Sequence, residues 1–164
     1  YNRIIHRTLQ VRSLMSLEEN HEDRREMKMR TAIVLMTHGS FGKELIASGE
    51  LILGELKDVF SISLEAEKEP MELMSELETL LQSDFDQYIL LADLFGGTPC
   101  NVAARFSLED NVIVLSGVNL PMLIEAEMAR MQGSYDGLEE NLMKSAREGI
   151  KDVKKIMKER KAER

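Results

Sequence analysis

The sequence predicts an α/β fold: an open, mainly parallel sheet of about four strands with helices on both faces. Three observations carry this expectation. Four short apolar runs recur along the chain, at 32–36, 59–64, 88–92 and 112–115. Three of them are continuous rather than alternating, as in strands buried on both faces. Stretches with helical spacing of apolar residues separate the runs, and the connections are short. Such β-α-β-α alternation implies a parallel sheet joined by right-handed crossovers.

Taken in order, Ala32-Ile33-Val34-Leu35-Met36 reads as the first strand, ending at the loop Thr37-His38-Gly39-Ser40-Phe41-Gly42. Lys43 to Leu53 follows as a helix with Leu45, Ile46, Gly49, Ile52 and Leu53 on one face, and Gly54 as its C-cap. Val59–Leu64 is the second strand. Pro70 opens a helix with apolar positions Met71, Leu73, Met74, Leu77, Leu80 and Leu81. The third strand, Tyr88–Ala92, ends at Asp93 and the loop Leu94-Phe95-Gly96-Gly97-Thr98. Thr98 before Pro99 reads as an N-cap, and the helix continues through Phe106. Val112–Leu115 is the fourth strand, followed by the loop Ser116-Gly117-Val118-Asn119 and a helix from Leu120-Pro121 to about Arg130. Gly133 to Gly137 is a break, and a last helix runs from about Leu138 into the basic tail Lys151 to Arg164.

The 164 residues are 43% apolar and 30% charged, which suits one domain with a real core. Lys and Arg total 21 against 29 Asp and Glu, for a net charge of −8, so neither nucleic acid nor an anionic membrane surface is expected as the main partner. The single cysteine, Cys100, excludes an internal disulfide and a multi-cysteine metal site, and fits a reducing cytoplasm. No apolar run approaches the roughly 18 residues needed to cross a bilayer. Residues 1–30 stand apart, with seven basic and five acidic side chains before a strongly acidic remainder. The chain begins at Tyr1, and Met27 and Met29 directly precede the first strand. Residues 1–29 are therefore expected to be a helical extension outside the native domain, which spans 30–164.

In an open parallel sheet, ligands bind beyond the carboxyl ends of the strands. Here those ends carry His38, Asp93 and the Ser116–Asn119 loop. Each loop opens a helix and so offers free backbone N–H groups to an anion. Gly39, Ser40, Leu94, Gly96, Gly97 and Thr98 are the candidate phosphate-binding positions, with the glycines allowing close approach. His38 is the only histidine beyond the first thirty residues, since His6 and His21 lie within them. Its position suits a loop histidine that caps a helix. It equally suits a nucleophile, because an imidazole of ordinary pKa, about 6.5, is substantially neutral at pH 7 and can attack a phosphoryl group. Asp93 would then accept a hydrogen bond from the other ring nitrogen, or else serve only as a turn residue. No second histidine or thiolate cluster accompanies His38, so no metal is expected. Neither a nucleophile elbow nor a Walker loop is present. Cys100 is expected to be a small buried residue, and the acidic cluster Glu65, Glu67, Glu69 and Glu72 a solvated loop and helix start.

Thr37-His38-Gly39, Asp93-Leu94-Phe95-Gly96-Gly97-Thr98-Pro99-Cys100-Asn101 and Gly117-Val118-Asn119-Leu120-Pro121-Met122-Leu123, each at a strand end and in this order, resemble the enzyme IIA domain of the mannose-type sugar phosphotransferase system over roughly residues 30–157. The resemblance implies a phosphotransferase without a cofactor. His38 would be phosphorylated by the phosphocarrier HPr and pass the group to a IIB component for sugar uptake. Asp93 takes the place of the aspartate that bonds this histidine, and Thr98 that of the hydroxyl residue after the glycines. Phe95 stands where the family has Trp or Phe. The resemblance also implies a cytoplasmic homodimer with an exchanged strand, expected near Gly133–Gly137, and a link to the membrane only through the transporter. No IIB motif follows, which implies a IIA chain on its own. Rival readings are a phosphoryl donor subunit for dihydroxyacetone kinase, a non-catalytic regulatory domain on a IIA scaffold, and a doubly wound nucleotide or flavin module.

Overall fold

The computed structural model describes residues 29–163. The expected N-terminal helical extension, with His6 and His21, lies outside the described residues. The first strand, β1, spans Thr31–His38 and leads into helix α1, Phe41–Leu53. Strand β2, Val59–Leu64, is followed by α2, Pro70–Leu81; β3, Gln87–Ala92, by α3, Thr98–Ala104; and β4, Val112–Ser116, by α4, Leu120–Gln132. Two further helices, α5 at Leu138–Glu148 and α6 at Val153–Ala162, complete the described chain. The four strands form one parallel sheet in the order β2-β1-β3-β4.

The strand alternation sorts side chains into two cores. Ala32, Val34 and Met36 of β1 and Tyr88, Leu90 and Ala92 of β3 face α2 and α3, where Leu73, Leu77 and Ala103 are fully buried. Ile33 and Leu35 of β1 with Ile89 and Leu91 of β3 face the opposite way and pack on Leu45 of α1, Met122, Leu123 and Ala126 of α4 and Leu142 of α5. Continuous apolar runs in β1 and β3 are thus the consequence of burial on both faces. Each fully buried aliphatic side chain contributes about 1.5–3 kcal/mol of transfer free energy. Tyr88 keeps its hydroxyl satisfied by donating to the carbonyls of Leu81 and Ser83.

Local chemistry sets the helix ends. Glu69 and Glu72 form a capping box around Pro70 at the start of α2, which gives the acidic cluster a structural use. Asn119 caps α4 by accepting from the Met122 amide. At the other end of α4, Gly133 is left-handed, and the Ser134 and Gly133 amides donate back to Ala129 and Arg130, a Schellman closure.

Several expectations are corrected. Thr37 and His38 belong to β1, because the ladder with β2 continues to the pair His38 and Leu64. The N-cap of α3 is Gly97, extended at φ −69°, and Thr98 is the first helical residue. That helix ends at Ala104, so Phe106 lies in the following turn. Ile52 and Met71, expected on apolar faces, are exposed. The expected last helix is two helices. A Cβ at Gly149 would stand 2.6 Å from Cγ of Pro121, so glycine is the residue that fits where α5 ends, and Asp152 then caps α6 through the Lys155 amide. Residues 133–137, expected as a break, form the turn between α4 and α5, with Gly133 and Gly137 both left-handed.

One close contact anchors α1 to the sheet. Gly42 donates its amide to the buried Thr37 Oγ1 at 2.9 Å. A Cβ at Gly42 would stand 2.5 Å from Ser61 Oγ and 2.8 Å from Thr37 Oγ1. Gly42→Ala is therefore expected to destabilise the protein by about 1–3 kcal/mol through overpacking, against the roughly 1 kcal/mol that alanine normally gains in a helix. Denaturant unfolding of Gly42→Ala and of Gly42→Ala with Ser61→Ala checks this: the second change should recover part of the loss.

Candidate functional site

The loops after β1 and β3 leave adjacent central strands in opposite directions. From β1 the chain turns to α1 on one face and the edge strand β2; from β3 it turns to α3 on the other face and the edge strand β4. This is the switch point at which an open α/β sheet forms a crevice. His38 and Asp93 stand at this point, at the carboxyl ends of β1 and β3.

Asp93 extends the ladder past the last regular rung. Its amide donates to the Met36 carbonyl at 3.3 Å. Its Oδ2 accepts from the His38 amide at 2.8 Å and lies 3.0 Å from His38 Nδ1, with Oδ1 at 3.2 Å from the same nitrogen. A carboxylate only accepts, so Nδ1 carries the proton, and in the neutral ring Nε2 keeps its lone pair. The His38 side chain is 44% exposed and that of Asp93 only 16%. Burial pushes the Asp93 carboxyl up, but the amide and ring of His38 and the amide of Leu94 outweigh it and hold the carboxyl below its ordinary value.

The paired glycines do two different things. Gly96 is left-handed at φ +77° and turns the chain. Gly97 has an ordinary φ, but a Cβ there would stand 2.9 Å from His38 Cε1 and 3.2 Å from the Leu94 carbonyl oxygen. It is glycine because the imidazole lies against it. Asn101 steadies the loop by donating from Nδ2 to the Gly96 carbonyl at 3.0 Å. Spacing alone gives Asn101 no role; a polar amide in the first turn after two glycines is the signal for such a bond.

The amides divide into used and unused. Gly39 donates to Leu64 and Gly97 to Leu94 within the chain, and Leu94 serves Asp93. Among the described residues the amides of Ser40, Gly96 and Thr98 have no such acceptor. The third loop is tied elsewhere: the Val118 amide donates to Ala92, and Asn119 Nδ2 donates to Ala146 of α5. Gly117-Val118-Asn119 therefore holds α5 against α4. Phe41, Leu94 and Phe95, next to His38 and Asp93 in the chain, are 43%, 61% and 85% exposed. Cys100 is buried. Among the described residues no group of three or more His, Cys, Asp or Glu could hold a metal, and no helix is long and apolar enough to cross a membrane.

A carboxyl held below its unfolded pKa adds stability that is present above that pKa and is lost as pH falls through the folded value. The Asp93 contribution should therefore fade on acidification below about pH 4. Urea midpoints followed against pH should fall less steeply in that range for Asp93→Asn than for the unchanged protein; parallel curves would mean that the pair adds no proton-linked stability.

The family described as EIIA-man, PTS system fructose IIA component, matches residues 32–143. The mannose-specific EIIAB component of the phosphotransferase system of Escherichia coli (strain K12) is 35% identical over 130 residues, 77% of this chain, and the chain spans only 40% of that relative's length. The fructose-specific EIIA component of Bacillus subtilis (strain 168) is 30% identical over 68% of this chain and 78% of its own. Among solved structures, phosphotransferase system component EIIA from Streptococcus agalactiae superposes with a TM-score of 0.71 at 34% identity, covering 76% of this chain and 98% of that one. With its four-stranded parallel sheet and this extent of match, the chain belongs to the mannose- and fructose-type IIA family of the sugar phosphotransferase system.

Proposed function

We propose that this protein is a phosphoryl relay in sugar uptake, with His38 as the residue that carries the group. The observation behind this reading is the bond from His38 Nδ1–H to Asp93, which leaves Nε2 as a nucleophile on a half-exposed ring. The donor is the phosphohistidine of HPr. His38 Nε2 attacks phosphorus in line, the donor's P–N bond breaks, and the electron pair returns to the donor imidazole. His38 keeps its Nδ1 proton, so the phosphorylated ring is an imidazolium, and the Asp93 carboxylate lies beside that positive charge. A IIB component then attacks phosphorus, and the pair returns to Nε2.

The phosphoryl oxygens require donors in a strongly acidic protein. The unpartnered amides of Ser40, Gly96 and Thr98, with the Thr98 hydroxyl, fit this need without a cationic side chain. Gly39, Gly97 and Leu94 shape the same loops but spend their amides inside the chain. Because the group arrives already activated as phosphohistidine, positioning and electrostatics suffice for catalysis. Phe41, Leu94 and Phe95, close to His38 and Asp93 in the chain, offer exposed apolar surface for a protein partner.

Incubation with enzyme I, HPr and radiolabelled phosphoenolpyruvate is the direct test. His38→Ala should take up no label, and label appearing on another residue of that variant would overturn the assignment. Asp93→Asn should keep its fold and transfer roughly 10²-fold more slowly, by analogy with loss of one preorganised electrostatic partner. The apolar contact has its own readout. Phe95→Ala should raise the KM for HPr by about tenfold with little change in kcat, as for a truncated interface anchor worth about 1–2 kcal/mol.

A further inference from the structure

The backbone that lies against the His38 ring is built from two successive glycines. The turn Leu94–Gly97 is closed by the Gly97 amide, which donates to the Leu94 carbonyl at 3.1 Å. Gly96, at its third position, has the positive φ that a type II turn requires there. Residues without a Cβ have the widest backbone freedom, so such a turn keeps one form only where something holds it. The first turn of α3 does so. Asn101 donates from its amide to the Gly97 carbonyl at 2.9 Å and from Nδ2 to the Gly96 carbonyl at 3.0 Å. Among the described residues no backbone amide reaches the Gly96 carbonyl, so the Asn101 side chain is its donor. The peptide joining the two glycines is thus held at its oxygen by Asn101 and at its nitrogen by Leu94.

This peptide bears on the ring because the imidazole is restrained from two sides. Asp93 Oδ2 lies 3.0 Å from Nδ1. Gly97 lies against the next ring atom: a Cβ there would stand 2.9 Å from Cε1 and 3.6 Å from Nε2. A hydrogen bond at Nδ1 holds one atom and lets the ring swing about it. A wall at Cε1 removes that swing and so sets where Nε2 points. Leu94 joins the two restraints, since its amide serves the Asp93 carboxylate and its carbonyl accepts from Gly97.

We propose that Asn101 is a positioning residue for phosphoryl transfer: by holding the Gly96 carbonyl it keeps Gly97 against the His38 ring and so directs Nε2 at the incoming phosphorus. The inference rests on the relay reading and deepens it. Asn101 acts through Gly97 and not on the reacting atoms. The helix itself does not call for asparagine at this place. Alanine is the better helix former, and aspartate suits a first turn. Of the three, only asparagine brings a donor to Gly96 at neutral pH.

The variants Asn101→Ala and Asn101→Asp test this. Each should keep a urea midpoint near that of the unchanged protein. Each should nevertheless accept phosphoryl from HPr roughly tenfold more slowly at saturating HPr, with KM for HPr unchanged, as for a misdirected reacting group. Alanine carries no charge, so its slower transfer cannot come from repulsion of the phosphoryl oxygens. The ring is read separately, in the unphosphorylated protein, by the nuclear Overhauser effect between Hε1 of His38 and Hα of Gly97. It should be strong in the unchanged protein and clearly weaker in both variants. An unchanged rate in Asn101→Ala, a slower rate with the Overhauser contact intact, or a rate that falls only in step with the urea midpoint would overturn the proposal. If the unchanged protein takes no label from HPr, the relay reading fails, and the Overhauser contact still decides whether Asn101 sets the ring.

Discussion

The bond from the His38 amide to Asp93 joins the regularity of the sheet to its chemistry. Parallel strands β1 and β3 satisfy each other's backbone groups up to the Asp93 amide on Met36. There β3 ends, and the Asp93 carboxylate takes the next amide, that of His38. The same oxygen also lies 3.0 Å from the ring nitrogen Nδ1. A group that closes the ladder therefore also fixes the tautomer and direction of the imidazole. The low Asp93 pKa follows from these donors overcoming the penalty of burial.

Space around this pair is as constrained as hydrogen bonding. Gly97 lets the imidazole lie against the backbone, and Gly42 lets the first turn of α1 lie against Thr37 and Ser61. Neither needs an unusual φ; each is needed because a Cβ would collide. Gly96, by contrast, is needed for its left-handed φ. The site is thus held by close packing of two helix starts on two central strands. For the proposed relay the net acidity of the chain is no obstacle, because the donors for a phosphoryl group would come from the backbone and not from lysine or arginine.

Polar residues away from the site keep the scaffold in register. Glu127 is buried and meets Arg130 through two bonds of 2.8 and 2.9 Å, while Thr31 and Tyr135 share a bond at the other end of β1. Asn119 and Ser145 tie α4 to α5 through the carbonyls of Ala146 and Pro121. These contacts account for why the third glycine loop, which looks like a ligand loop in the sequence, is occupied by the fold.

Much of the architecture was legible in the sequence. Doubly buried strands must be apolar throughout, so β1 and β3 announce themselves, and Pro70, Pro99 and Pro121 mark helix starts. The family motifs placed His38 and Asp93 at strand ends. What the sequence could not carry was contact across the fold. That Thr37 and His38 stay in β1 depends on Leu64 reaching them from β2. The break after α5 depends on Pro121 lying against Gly149, and the helical register left Ile52 and Met71 outward because no element among the described residues covers them. Which loop amides are free was likewise decided by acceptors distant in the chain, such as Leu64 for Gly39. Residue type and spacing determined which groups could do chemistry. Only tertiary packing decided which of those groups were already spent on holding the protein together, because a hydrogen bond or a collision between distant residues leaves no mark on local spacing.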